Sequence, residues 1–141
     1  MRCRTSVTRH FLVVAAAGLA ASCVSLTDDH GGSATVNVPV VGQTAQALGF
    51  SVQARGFSFE QRYGSPTQGD SLALGLAVVG YTGGSALIEV TDSSGTMRLQ
   101  QTVTTSLAQG STVIHGRPPY QVHLLFDAFS GAFTLAVAAQ S

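Results

Sequence analysis

The amino-acid sequence predicts an all-β fold, a single antiparallel β-sandwich of jelly-roll-like or Ig-like build. Apolar and polar residues alternate with period two in segment after segment, whereas helical periodicity is hard to find. Clusters of Gly, Ser, Asp and Pro break that alternation at strand-length intervals. The chain of 141 residues is 45% hydrophobic but only 10% charged, with 16 Gly and no Lys. That balance excludes intrinsic disorder, a coiled coil and a basic nucleic-acid binder, each of which needs many charges.

The first segment is expected to be an export signal. Arg2, Arg4 and Arg9 precede an uncharged apolar stretch from Phe11 to Ala21, while every acid lies beyond residue 27. A positive n-region followed by about 7–15 apolar residues is the layout of a secretory signal peptide. A membrane-spanning helix needs about 20 apolar residues, and Ser22 and the Ser25-Leu26-Thr27-Asp28-Asp29 run arrive too soon. Leu19-Ala20-Ala21-Ser22-Cys23 resembles the lipobox of bacterial lipoproteins, with Ala20 where that family most often has Leu. The resemblance implies cleavage before Cys23, a diacylglycerol thioether on its sulfur and acylation of its new amine. Because Cys3 leaves with the signal, Cys23 is the mature chain's one cysteine, and lipidation accounts for an otherwise free thiol. Val24 and Ser25, rather than Asp, follow it. In a Gram-negative host, this resemblance implies the outer membrane, with the domain facing the periplasm.

The expected organisation is therefore a lipoprotein signal peptide over 1–22, a polar tether over 23–32 and a β-sandwich over 33–141. The mature chain has four Arg against seven acids, a net charge of −3. That sign gives phosphate backbones little purchase, and no nucleic-acid partner is expected.

Thr35-Val36-Asn37-Val38 opens the first strand, with Pro39 confining it to an edge. Phe50 to Ala54 and Phe57 to Glu60 alternate on either side of Gly56, which reads as a bulge. Leu72, Leu74, Leu76 and Val78 share one face of a strand whose other face is Ala73, Gly75, Ala77 and Val79. Apolar on both faces, it is expected to be central and covered on both sides. Three hairpins follow by register. An Asp92–Gly95 turn sets Val90 opposite Met97, Ile88 opposite Leu99 and Glu89 opposite Arg98. A Ser130-Gly131 turn sets Phe126 opposite Leu135 and Leu124 opposite Val137, and an Arg117-Pro118 turn sets Val122 opposite Val113. This makes roughly eight strands. The 92–95 hairpin, Pro119-Tyr120-Gln121-Val122 and the closing Gly131–Val137 segment resemble jelly-roll-like accessory domains of exported bacterial proteins.

Little in the sequence points to catalysis. Without Lys there is no Walker A lysine or Schiff-base nucleophile, and no Gly-x-Ser-x-Gly elbow occurs. No cofactor is expected. The hairpin at Arg117-Pro118 sends His115 inward and His123 outward, about 10 Å apart along the ladder, so no metal site is expected from them. The candidate contact residues are Arg62, Tyr63, Tyr81 and Tyr120, residue types favoured at interfaces and placed near strand ends. The expected function is that of a non-enzymatic, lipid-anchored envelope protein, tied to the membrane through Cys23, that binds or organises another envelope component, with a protein of the envelope as the expected partner. A glycan- or small-ligand-binding module is the alternative, and a small hydrolase a third.

Overall fold

The computed structural model describes residues 35–64, 66 and 68–140. The proposed signal peptide, Cys23 and the tether lie outside these residues. The described chain is all-β: β1 (Val40–Gln43), β2 (Ala47–Tyr63), β3 (Ser71–Thr91), β4 (Met97–Val103), β5 (Leu107–His115) and β6 (Gln121–Gln140). All pairings are antiparallel, in the order β1-β2-β6-β3-β4, with β5 also on β3.

Six strands serve where about eight were expected, because β2, β3 and β6 are long enough to supply both layers of the sandwich. Each bends midway. β2 breaks register between Ala54 and Phe57, and β3 between Val79 and Ser85. β6 turns at Ala128 and Gly131, both at positive φ. The first layer holds β1, the halves of β2, β6 and β3 around Phe50, Leu135 and Leu76, and β5. The second holds the other halves, around Phe59, Phe126 and Ala86, and β4.

Bulges at the bends keep the apolar face inward. Leu48, Phe50 and Val52 are buried before Gly56, and Phe57 is buried after it. The change from even to odd positions is the parity reset of an inserted residue, as the bulge reading required. In β6 the same reset falls at Ala128: Val122, Leu124 and Phe126 are buried before it, and Phe129, Phe133, Leu135 and Val137 after it. Across the core, Phe50 stacks on Phe126 at 5.6 Å between ring centroids.

Several sequence expectations are corrected. Residues 130–131 are a bend within β6, not a hairpin turn: Phe126 pairs with Phe59 and Ala86, and Leu135 with Phe50 and Leu76. The Arg117-Pro118 hairpin is also absent, because β5 pairs with β3 and Val122 lies between Tyr63 and Val90. The 92–95 hairpin exists, but Val90 faces Leu99, Glu89 faces Gln100, and Arg98 is the extra residue of a register shift. Its cause is Asp92, which draws Arg98 into an ion pair at 2.6 Å. The first strand starts at Val40 rather than Thr35. Asn37 turns the preceding chain at φ 62, and its side chain bonds both backbone groups of Arg55. The edge strand is thus β1, after Pro39, and not Thr35–Val38 before it. The Leu72–Val79 strand is central in its sheet, but its second face is not covered throughout, since Val79 is 66% exposed.

Candidate functional site

The outer face of the second layer carries a polar row across four strands. Arg62 on β2 faces His123 on β6, His123 faces Glu89 on β3, and Glu89 faces Gln100 on β4. Strand alternation places these side chains away from the core, since each follows or precedes a core position such as Ile88, Val90, Val122 or Leu124. Glu60 joins the row diagonally, two residues before Arg62.

Hydrogen bonds hold the row. His123 Nδ1 lies 2.8 Å from Glu89 Oε2, and Nε2 lies 2.9 Å from Glu60 Oε1. Gln100 Nε2 donates to Glu89 Oε1 at 2.8 Å. The Glu89 carboxyl is held below its ordinary range, first by the bond to His123 and then by that to Gln100, with Arg62 adding a favourable charge. Both ring nitrogens of His123 are engaged by carboxylates, so neither points at a substrate-binding space. The row is chemically a braced set of donors and acceptors on an open sheet face, suited to contact rather than to proton transfer.

Among the described residues, no group of three His, Cys, Asp or Glu side chains is placed to hold a metal ion. His115 is exposed on β5 against Ser71, not inward-facing as expected, and it lies in the other layer from His123. A cleft of about 200 Å³ opens between the layers where β4 and β5 run, lined by Leu74, Leu76, Ile88, Leu99 and Leu107 with Gln101, Ser111 and Thr112. No ionisable side chain lines it.

The four candidate contact residues do not form one patch. Arg62 is exposed and stands in the row. Tyr63 packs against the core, 6.3 Å from Phe50 between ring centroids, and burial pushes its hydroxyl pKa up. Tyr81 sits at the bend, where its hydroxyl donates to the Gly84 carbonyl at 2.7 Å and its ring meets Phe129. Tyr120 is a correction: at 1% exposure it is core, its amide bonded to the Pro66 carbonyl, and it offers no surface. Glu60, Glu89, Gln100 and His123 are not recognisable as a unit from the sequence. Their outward parity was visible in the alternation; their neighbours were not.

A second polar cluster is structural. Buried Asp92 accepts bonds from the amides of Ser94 and Thr96, the Ser94 hydroxyl and Arg98 Nε, and together they close the β3–β4 turn. The Ser94 hydroxyl, then Arg98 and the backbone amides, hold the Asp92 carboxyl well below the usual carboxylate range against the opposing effect of burial.

No family model matches the chain, and no curated protein does. Among solved structures it is similar to a chain from the Bacillus endospore appendages that form disulfide-linked pili. That match has TM-score 0.42 and 19% identity, covering 77% of this chain and 97% of that one. It is similar also to TmCBM61 in complex with β-1,4-galactotriose, at TM-score 0.37 and 13% identity, covering 72% and 70% of the two chains. A CBM4 structure matches at TM-score 0.36 and 12% identity, over 79% and 82%.

Proposed function

We propose that this protein is a non-enzymatic binding protein of the cell envelope, anchored by lipid on Cys23, and that the outer face of its second layer contacts a protein partner. The observation that carries the reading is the row Arg62–His123–Glu89–Gln100, in which donors and acceptors from four strands stand in register on an open face and His123, Glu89 and Gln100 are joined by hydrogen bonds. Side chains already held in place lose less conformational entropy on binding, which favours recognition. Every Phe and Tyr among the described residues belongs to the core or packs against it. That arrangement favours a protein partner over a glycan, for which aromatic faces are the usual platform. The export signal and lipobox-like residues support an envelope location.

The test is site-specific photocrosslinking in the intact host, with the reactive side chain placed at Gln100 or at Thr102 beside it. A single crosslinked envelope protein, lost when Arg62→Glu is added, is the expected result. No crosslink from either position, or a crosslink that Arg62→Glu leaves unchanged, would overturn the assignment of this face.

A further inference from the structure

We infer that β5 is a self-pairing edge, through which two copies of this chain join their first layers into one continuous antiparallel sheet. A strand edge is a row of unsatisfied backbone groups, and proteins usually blunt it with charges, proline or brevity. The free edges here differ in that respect. β1 has only four residues and follows Pro39. β2 carries Glu60 and Arg62 along the part that β1 leaves uncovered, and β4 is a seven-residue strand whose register breaks at Arg98. β5 has nine residues without Asp, Glu, Arg or Pro, and among the described residues only β3 pairs with it.

Charge then selects the occupant. A two-fold contact sets residues near their own copies, so a charged edge opposes itself while an uncharged one does not. The regular ladder of β5 runs over Gly110–His115, since its register shifts beyond Gly110. Antiparallel pairing centred on Val113 keeps inward residues inward: Thr112 meets the partner copy's Ile114, and Ser111 meets its His115. Val113, 51% exposed on the outer side, meets its own counterpart. His115, the strand's one ionisable residue, thus avoids its own copy. A six-residue edge about 20 Å long and ~10 Å high covers on the order of 200 Å² per copy, well under the ~800 Å² of a standard interface. Association is therefore concentration-dependent and favoured where copies are crowded on one surface.

The test uses two differently tagged full-length copies co-expressed in the host, with co-purification as the readout. Wild-type copies should capture each other. Val113→Lys with itself, and Val113→Glu with itself, should each lose at least tenfold, and Val113→Lys with Val113→Glu should regain capture. Each variant's melting curve should match wild type, because the site is exposed. In a second arm, Val113→Cys should give at least tenfold more disulfide dimer than Gln53→Cys, which lies on the outer face away from β5. Capture indifferent to the charge at position 113, or equal disulfide yields, would overturn the proposal, as would wild-type copies that neither co-purify nor crosslink.

Discussion

Phe126 and Phe133 lie on the same strand, yet their rings meet edge-to-face at 4.9 Å inside the core. A flat strand would hold them more than 20 Å apart. Their contact exists because β6 bends at Ala128 and Gly131, carrying one half into each layer. Three long strands bending together make a sandwich in which much of each layer is covalently continuous with the other.

The bends make specific demands on glycine. Gly84 has φ 78, and a Cβ there would lie 2.2 Å from the Ala128 carbonyl oxygen. Backbone would have to move on two strands, so Gly84→Ala should cost about 3 kcal/mol or more. Gly56 shares the left-handed geometry, at φ 59, but has nothing within 4 Å of the Cβ position. Gly56→Ala should cost only about 1–2 kcal/mol, from conformation alone. Urea melts of the two variants check the ordering, and equal losses would show that crowding at Gly84 is relieved elsewhere.

Core truncation should be expensive on both sides of the fold. Phe126 stacks on Phe50 and meets Phe129 and Phe133 edge-to-face, so Phe126→Ala should cost about 3–5 kcal/mol. Leu74, buried on β3 in the other layer, should cost about 2–5 kcal/mol as Leu74→Ala. Denaturant melts measure both, and a single transition in each variant would show that the layers unfold together.

What the sequence disclosed depended on how local the determinant was. The bulge at Gly56 and the inward positions of Leu72 to Val78 follow from neighbouring residues, and both are present. Ser130-Gly131 has turn chemistry too, but whether a chain reverses or bends there is decided by its partners. Here β2 and β3 pair along both halves of β6, which keeps it extended. The polar row was hidden for the same reason. Glu89 was expected opposite Arg98, the nearest opposite charge in sequence, whereas Asp92 captures Arg98 and β6 brings His123 from far along the chain.

Anchoring should depend on Cys23 alone. Cys23→Ala should abolish incorporation of radioactive fatty acid and release the protein from the membrane fraction, because stable attachment is expected from the acyl chains. Persistent, detergent-extractable binding by the variant would rule out the lipoprotein assignment.

Acid should unfold the protein through its carboxylates. Asp92 and Glu89 both have folded-state pKa values below their ordinary ones, Asp92 chiefly through the Ser94 hydroxyl and Glu89 chiefly through His123. A carboxyl with a depressed folded-state pKa binds its proton more readily when unfolded. Its stabilisation is thus complete above the unfolded values, about 3.9 for Asp and 4.3 for Glu, and is lost as pH falls below them. Tyr63 and Tyr120 run the other way: burial raises their pKa, so their stabilisation holds at lower pH and fades as pH rises past about 10. Melting temperature should therefore form a plateau between the two limbs. Asp92→Asn should lower that plateau and flatten the acid limb, because the variant loses the Arg98 ion pair and has no proton to take up. Glu89→Gln should flatten the acid limb less, since Asp92, the more strongly depressed of the two carboxyls, remains. An acid limb as steep in Asp92→Asn as in wild type would locate the acid sensitivity in another group.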